Sequence, residues 1–415
     1  RDRQEVPGSP DPAAFGLDEK NQEVPESEEV AVYRLVTESG GPLPAVIRLE
    51  YGGVIHHPLE QSGEEYARSF SETPGTIQED GVFLSGSTFW YAWFGYDMVT
   101  FSMEVEKPEG WDALSEGTRA ADSPERVRWE AQSPVDEIHL CAARFTVYED
   151  SAGSVSTYAY LRTPDEALAR KYLDTTAAYL EMYRALLGRY PYEKFALVEN
   201  FWETGYGMPS FTLLGPKIIR FPFILHSSYP HEILHNWWGN GVFVEYETGN
   251  WCEGLTAYLA DHLIKEQRGQ GAAYRRDQLQ KYADYVSGDE DFPLTEFRSR
   301  HSGATQAVGY GKTAMMFHML RMELGDEMFV AGLRRLYKDN AFRRASFGDV
   351  QKAFEATAGR QMELFFDSWV RRTGAPGLAI DSATVSSVGG NGLHLVLRQT
   401  QDEDPFPLLV PVSVT

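Results

Sequence analysis

The hydrophobic pattern of this chain changes its period near Thr163, and this change constrains the fold more than any other sequence feature. Between Val30 and about Leu161, apolar and polar residues alternate, which is typical of half-buried β-strands. Gly, Pro, Asp and Ser separate the alternating segments. The pattern predicts an all-β domain whose strands cover residues 30–36, 45–49, 98–105, 126–130 and 138–147.

From Thr163 onward the apolar residues recur with helical spacing. Thr163 can cap a helix, Pro164 suits the first helical position, and Glu166 stands three residues after the cap. We therefore predict a helix that begins at Thr163 and stops at Gly188. Further helices are predicted near residues 222–238, 253–268, 272–287, 308–324, 326–338, 347–358 and 361–372.

These patterns predict a multidomain α+β protein. Residues 1–28 are acidic and rich in proline, which indicates a flexible leader. The all-β domain is assigned to residues 29–162 and the mostly helical domain to residues 163–376. Alternation returns in residues 377–415, a stretch too short for an independent sheet domain. We expect it to begin a further β domain that the chain truncates, or to pack against the helical domain.

Composition excludes several functional classes. Lys and Arg number 38 against 61 Asp and Glu, a net charge of −23. That charge repels phosphate backbones, so no nucleic-acid partner is expected. Apolar runs stay well short of the ~20 residues that a membrane-spanning helix needs, so no transmembrane segment is expected. The cysteines Cys141 and Cys252 are expected to be buried thiols, although one disulfide between them stays open.

The segment His231-Glu232-Ile233-Leu234-His235 carries the chemistry of this sequence. Residues at i and i+4 share one face of a helix, so both imidazoles can reach one metal ion. Glu232 points about 100° away from His231, where it can contact a water molecule on that metal. Two nitrogen donors and one anionic oxygen suit zinc and leave a fourth position for water. Glu232 can accept the proton of that water.

Such a site requires a third protein ligand, for which Glu253 is the natural candidate because it opens a second helix. The rivals Glu245 and Glu247 lie in a segment that is predicted to be an exposed hairpin. Asp261 and His262, two turns further along the second helix, are further alternatives.

The segment HEILHNWWGN followed by EGLTAY resembles the gluzincin metallopeptidases of the aminopeptidase N family, which includes leukotriene hydrolase. The resemblance implies one Zn²⁺ ion held by His231, His235 and Glu253, with Glu232 as general base. Residues 236–252 separate the second histidine from Glu253, one residue fewer than is usual in the family. A loop can absorb that deletion without moving the helices.

A second match lies in the segment AVGYGKTAMM, where Tyr310 corresponds to the family tyrosine that donates a hydrogen bond to the tetrahedral oxyanion. Flanking matches extend the resemblance over residues 95–380. The family has an N-terminal β saddle, a thermolysin-like catalytic domain and, in many members, a further β domain. The resemblance implies the same order here.

The sequence departs from the family in the segment that binds the substrate's α-amino group. Family aminopeptidases carry Gly-x-Met-Glu-Asn there, whereas this chain has Pro209 in the position of the glutamate. Glu199 and Glu203 are nearby candidates to replace that carboxylate. The substrate-binding residues implied by the alignment are Gly205, Tyr206, Gly207 and Met208.

The sequence therefore predicts a zinc metallopeptidase that acts on a peptide or protein substrate. The prediction is an aminopeptidase-like enzyme with relaxed recognition of the amino terminus, and endopeptidase action stays open. A zinc-retaining binding module without catalysis and a hydrolase of a non-peptide substrate are the alternatives. The acidic leader, together with the export of many bacterial relatives, favours an extracytoplasmic location, periplasmic or secreted, over a cytoplasmic one.

Overall fold

The computed structural model describes residues 4–5, 33–34, 46–61, 71–92, 97–386 and 392–412. The chain forms two compact units, which we call the first unit (Arg1–Thr176 and Tyr192–Phe221) and the second unit (Ala177–Pro191 and Pro222–Thr415). The predicted leader lies outside the described residues, apart from residues 4–5.

Strands occur mainly in the first unit. In chain order they are β1 (Gln4–Glu5), β2 (Tyr33–Arg34), β3 (Glu60–Gln61), β4 (Ser71–Glu72), β5 (Gly75–Gln78), β6 (Gly81–Leu84), β7 (Val99–Glu106), β8 (Asp112–Leu114), β9 (Thr118–Asp122), β10 (Arg126–Val135), β11 (Leu140–Ala143), β12 (Thr146–Ala152), β13 (Val155–Leu161), β14 (Lys194–Glu199), β15 (Gly205–Met208), β16 (Phe211–Leu214), β17 (Phe243–Val244), β18 (Arg344–Ala345), β19 (Leu378–Ser386) and β20 (Gly392–Gln399).

Helices occur mainly in the second unit. In chain order they are α1 (Glu166–Leu187), α2 (Ser228–Leu234), α3 (Cys252–Ala257), α4 (Leu263–Gln267), α5 (Gly271–Tyr285), α6 (Gly303–Gln306), α7 (Thr313–Leu324), α8 (Asp326–Asn340), α9 (Phe347–Ala358) and α10 (Glu363–Phe366). A π-helical turn, Tyr258–His262, joins α3 to α4, and another, Ala307–Lys312, joins α6 to α7. A third, Asp367–Arg371, continues α10.

Alternating strands build the sheets of the first unit. Side chains of β7 alternate between half-buried and exposed, and β7 pairs antiparallel with β10, which places Met103 opposite Trp129. The indole of Trp129 is fully buried and donates a hydrogen bond to the Ala113 carbonyl oxygen over 2.9 Å. The predicted strands at 98–105 and 126–130 are confirmed. The predicted segment 138–147 is split into β11 and β12, and residues 46–49, which the structure describes, form no strand.

A five-stranded sheet of the first unit has the order β12-β13-β14-β16-β15. Its three central strands are mutually parallel, and β14 is buried along its whole length, as expected for a strand covered on both faces. The helix α1 follows β13 and begins at Glu166, because the Asp165 side chain accepts a hydrogen bond from the Leu168 amide over 2.9 Å. The predicted cap at Thr163 is therefore wrong by two residues.

The helical second unit matches the predicted elements closely. The helix α9 begins after Ser346, whose hydroxyl accepts a hydrogen bond from the Asp349 amide over 3.2 Å. It ends at Gly359, which adopts the left-handed conformation with φ 67°. The predicted helix near 222–238 is broken into a 3₁₀ turn, Pro222–His226, and the short helix α2.

The strands β19 and β20 form an antiparallel hairpin in the second unit. The structure shows no strand in residues 408–412, where alternation predicted one. Both cysteines are buried free thiols, as expected. None of the helices within the described ranges is long and apolar enough to span a bilayer. The predicted mixed α+β fold class is confirmed.

Candidate metal centre

The helix α2 presents two histidines from one face. The His235 amide donates to the His231 carbonyl oxygen over 3.1 Å, so the helical hydrogen bonding continues through the second histidine. Tyr229 and Ile233 on this helix are fully buried, which fixes the helix against the interior of the unit. The two imidazole rings consequently lie with their centroids 4.8 Å apart.

Glu253 reaches the same place from the first turn of α3. Its neighbour Trp251 is fully buried and donates from the indole nitrogen to the Ala345 carbonyl oxygen over 2.7 Å. On the other side, Gly254 lies so close to Thr313 of α7 that an added Cβ would stand 2.2 Å from the threonine Cβ. These contacts set the position of α3 and therefore the direction of the Glu253 carboxylate.

Three potential ligand atoms converge at this point. Glu253 Oε2 lies 3.5 Å from His231 Nε2 and 3.6 Å from His235 Nε2. The ligand atoms of these residues all lie within 4.8 Å of one another, and the three side chains are half-buried. In the part of the chain that the structure describes, this is the one group of three such residues that could hold a metal ion.

The other nitrogen of each imidazole contacts an acceptor. His231 Nδ1 lies 3.4 Å from Asp261 Oδ2, and His235 Nδ1 lies 3.1 Å from the Trp238 carbonyl oxygen. When a neutral histidine donates from Nδ1, its Nε2 lone pair is free to bind a metal. Both rings are therefore oriented with Nε2 towards Glu253.

The alternative ligands lie elsewhere. Glu245 and Glu247 are exposed in the loop before α3. Asp261 contacts the far nitrogen of His231 instead of the convergence point. His262 faces Arg275, whose guanidinium nitrogen Nη1 lies 2.8 Å from its Nε2.

The π-helical turn Tyr258–His262 directs Asp261 and His262 to different neighbours. Burial lowers the pKa of His262 to about 4, so its neutral ring can accept the hydrogen bond from Arg275. The Tyr258 hydroxyl lies 3.1 Å from His318 Nδ1, which holds the start of the turn. Asp261 is thereby left to face His231. Sequence spacing does not reveal this partner, because a π turn has no clear residue signature.

The two glutamates of the site differ electrostatically. Burial raises the pKa of the Glu232 carboxyl. Burial would also raise the pKa of Glu253, but the charges of His235 and His231 and hydrogen bonds from His231 and Tyr310 hold it at about 2. Glu253 therefore stays ionised, as a ligand must, whereas Glu232 can exchange a proton closer to neutral pH.

Tyr310 belongs to the π-helical turn Ala307–Lys312, and the charge of Glu253 acts on its hydroxyl. Its ring packs edge-to-face on Phe297 with centroids 5.9 Å apart. Burial and the Glu253 charge raise the pKa of the Tyr310 phenol well above its usual value. The hydroxyl therefore stays protonated and is able to donate a hydrogen bond.

The segment Gly205, Tyr206, Gly207 and Met208 is the strand β15, at one edge of the sheet of the first unit. Its predicted role in substrate binding stays a prediction. Glu199 accepts hydrogen bonds from the Arg220 guanidinium over 2.6 Å and from the Arg162 amide over 2.8 Å. Glu203 accepts one from the Lys217 amide over 2.9 Å. Both carboxylates are therefore engaged inside this unit.

Solved structures with the same fold are metallopeptidases and a related hydrolase. The M1 zinc metallopeptidase from Deinococcus radiodurans superimposes with a TM-score of 0.56 at 19% identity, over 72% of this chain and 71% of the other. Native yeast LTA4 hydrolase superimposes with a TM-score of 0.56 at 16% identity, over 71% of this chain and 51% of the other. The chain has the fold of these proteins.

Sequence comparison also finds similarity to peptidases. Residues 227–369 match the family model described as "Peptidase family M1 domain". The aminopeptidase N of Streptomyces lividans is 21% identical over 322 residues, 66% of this chain and 35% of that protein. The glutamyl aminopeptidase of Bitis rhinoceros is 25% identical over 158 residues, 36% of this chain and 16% of that protein.

These comparisons confirm the resemblance to the aminopeptidase N and leukotriene hydrolase family. The chain spans well under two thirds of the length of either relative, with 35% and 16% covered.

Proposed function

We propose that this chain is a zinc-dependent metallopeptidase, aminopeptidase-like, that hydrolyses peptide bonds. The observation that carries the proposal is the convergence of His231 Nε2, His235 Nε2 and one Glu253 oxygen within 4.8 Å of one another. Two neutral nitrogen donors and one carboxylate are a donor set that zinc prefers, with a fourth position left for water. The contacts to Asp261 and Trp238 support this donor set, because they orient both rings towards one point.

His231, His235 and Glu253 would hold the zinc ion. When bound, zinc supplies Lewis acidity, which polarises a carbonyl group and lowers the pKa of water. Asp261 and the Trp238 carbonyl keep the imidazole rings in the orientation that ligation requires. Glu253, with its pKa near 2, stays anionic across the physiological range.

Two further side chains would carry the protons and the developing charge. Glu232 accepts a proton from the attacking water and returns it to the leaving amine, a role that suits a carboxyl whose pKa is raised by burial. Tyr310 donates a hydrogen bond to the oxyanion of the tetrahedral intermediate. The presence of both groups beside the ligands favours catalysis over a zinc-binding module without turnover.

We also propose that recognition of the substrate's amino terminus is relaxed. Pro209 stands where family aminopeptidases carry the amine-binding glutamate. The carboxylates of Glu199 and Glu203 are already engaged with partners in their own unit, so they are poor replacements. Free amino termini are therefore expected to assist binding without being required.

Location and partners complete the proposal. The acidic leader supports an extracytoplasmic location, which fractionation of the source cells would test. The net charge of −23 argues against nucleic acid as a partner.

Metal analysis and one substitution test the proposed function. Elemental analysis of the purified protein is expected to give one zinc per chain. Zinc-loaded protein is expected to cleave peptides in a digest read by mass spectrometry. Glu232→Gln is expected to bind zinc normally and to lose at least about two orders of magnitude in kcat, because the general base is gone.

Two results would contradict the proposal. Purified protein with less than one zinc ion per chain would contradict the proposed zinc site. Turnover by Glu232→Gln at the parental rate would show that Glu232 is not the general base. An exposed carboxylate on α5, Asp277, provides a matched control, since Asp277→Asn should change neither zinc content nor rate.

A further inference from the structure

A buried lysine lies in the same π-helical turn as Tyr310. The turn Ala307–Lys312 ends with Lys312, two residues after Tyr310. The Thr313 amide closes the turn by donating to the carbonyl oxygens of Val308 and Tyr310. Lys312 is only 7% exposed, whereas most lysines of folded proteins lie at the surface. A cation in this position requires an explanation from its contacts.

Three groups surround the Lys312 ammonium. Its Nζ donates to the Arg372 carbonyl oxygen over 3.3 Å and lies 3.8 Å from Asp291 Oδ2. It also lies 5.8 Å from the centroid of the Tyr282 ring, within the range of a cation–π contact. Burial lowers the pKa of Lys312, and the charge of Asp291 opposes this effect. Asp291 therefore compensates the buried charge of the turn.

Asp291 is itself held from two directions. The Tyr282 hydroxyl of α5 donates to Asp291 Oδ2 over 2.8 Å, and the Gly374 amide donates to the same oxygen. The Asp291 side chain is largely buried. The carboxylate thus joins Lys312 to α5 and to the segment that follows the π-helical turn Asp367–Arg371.

The backbone on both sides of Tyr310 lies against its neighbours. An added Cβ at Gly309 would stand 2.2 Å from Cε2 of Phe297, and one at Gly311 would stand 3.3 Å from Oε1 of Gln278 on α5. The Tyr310 ring packs on the same Phe297 ring. Because the turn has close contacts on each side of the tyrosine, a shift of its last residue is passed on to the phenol.

Oxyanion stabilisation is sensitive to such a shift. A hydrogen-bond donor must stand about 2.7–3.1 Å from the position that the oxyanion will occupy. The hydroxyl of a tyrosine lies at the far end of a rigid ring, so a small rotation of the backbone becomes a larger displacement of the hydroxyl. The contacts that fix the turn therefore bear on the strength of this hydrogen bond.

We propose that Lys312, anchored by Asp291, is a positioning residue that holds the Tyr310 hydroxyl where the oxyanion forms. The inference rests on the proposed peptidase function and adds a residue that acts through another side chain. Its effect falls on kcat more than on KM, because the oxyanion develops only after the substrate is bound.

A double-mutant cycle on the zinc-loaded full chain tests this coupling. Tyr310→Phe is expected to lower kcat by about 100-fold, the usual effect of losing one oxyanion donor. Lys312→Met should lower kcat by about tenfold and keep KM within about twofold of the parental value, because bound substrate carries no oxyanion. In the Tyr310→Phe background, Lys312→Met should change kcat by less than about twofold, because no hydroxyl is left to misplace.

Further variants separate positioning from a loss of folding. Lys312→Arg keeps the charge and should restore most of kcat. Lys312→Met combined with Asp291→Asn leaves neither charge buried without its partner, so this variant should fold and still show the low kcat of Lys312→Met. The control Lys352→Met removes an exposed lysine that lies 3.0 Å from Asp349 on α9, and it should keep the parental kcat.

A fluorine label provides a measurement that needs neither zinc nor turnover. Fluorotyrosine placed at position 310 reports the surroundings of this ring through its fluorine resonance. The resonance is expected to shift or broaden in Lys312→Met, to return towards the parental position in Lys312→Arg, and to stay unchanged in Lys352→Met.

An equal loss of kcat from Lys312→Met in the presence and absence of the Tyr310 hydroxyl would overturn the inference, as would an unchanged fluorine resonance in Lys312→Met. The resonance also separates this failure from failure of the proposed function. If the parental protein cleaves no peptide but the resonance changes, the peptidase proposal fails and Lys312 still positions the Tyr310 ring. If the parental protein cleaves peptides and the resonance does not change, the peptidase proposal stands and the positioning role fails.

Discussion

At the scale of single residues, the candidate metal centre depends on hydrogen-bond acceptors as much as on ligands. The imidazole rings of His231 and His235 could rotate about their Cβ–Cγ bonds if no acceptor held the Nδ1 atoms. Asp261 lies 3.4 Å from His231 Nδ1 and provides a negative charge for this purpose. We therefore expect metal affinity to depend on a residue that does not touch the metal.

Substitution of Asp261 tests this dependence. Asp261→Ala is expected to weaken zinc binding by about 10–100-fold, since outer partners of metal-bound histidines have effects of this size. Asp261→Asn keeps a hydrogen-bond acceptor without the charge and should weaken binding less. Competition with a chromophoric chelator measures the affinity, with Asp277→Asn as control. Parental affinity in Asp261→Ala would show that His231 is oriented by other contacts.

The sequence was enough to predict that His231, His235 and Glu253 converge, but not what surrounds them. His231 and His235 have a spacing that a helix converts into one face, so their proximity follows from the sequence. Asp261 could be considered only as a rival ligand, because its direction depends on the π-helical turn that contains it.

At the scale of secondary-structure elements, the position of α3 is the critical quantity, because Glu253 reaches the histidines from its first turn. Gly254 permits the close approach of α3 and α7. Helical spacing predicted both helices, but not the distance between them, which is set by a missing Cβ. The start of α1 shows the same limit: Thr163 and Asp165 are both good caps, and only the folded backbone selects Asp165.

A methyl group at Gly254 is expected to separate the two helices. Gly254→Ala places a Cβ 2.2 Å from Thr313 Cβ, so one element must shift. Overpacking of this kind costs about 1–3 kcal/mol of unfolding free energy. Urea unfolding followed by circular dichroism measures the loss. Gly392→Ala is the matched control, because an added Cβ there meets nothing within 4 Å. Equal stability of the two variants would show that α3 and α7 can move apart without loss of unfolding free energy.

At the scale of the whole molecule, the chain divides into two units that interleave along the sequence. The predicted boundary near Thr163 marks where the periodicity changes, but strands β14 to β16, which follow α1, join the sheet of β13 and belong to the first unit. Parallel pairing across a long helical connection leaves no local trace in the sequence, so this arrangement could not be predicted from periodicity alone. All the proposed ligands lie in the second unit.

Metal binding should therefore stabilise one unit selectively. Addition of zinc to metal-depleted protein is expected to slow amide hydrogen exchange in α2 and α3 and to leave β10 of the first unit unchanged. A ligand at a thousand times its Kd stabilises the state that binds it by about 4 kcal/mol. Exchange followed by mass spectrometry measures the protection, and His235→Ala, which removes a ligand, should show none. Equal protection of β10 would mean that the two units unfold as one.

The π-helical turn Tyr258–His262 has a consequence for how this helix can vary in length. Each residue of an α-helix advances the direction of the side chain by about 100°, so an extra residue normally rotates everything after it. A π-helical turn accommodates the extra residue locally, so the side chains beyond it keep their original directions. Deletion of one residue between Tyr258 and Asp261 would convert the π-helical turn into a regular α-helical turn. The Asp261 carboxylate would then point away from the His231 imidazole, although His231, His235 and Glu253 would all remain in the chain.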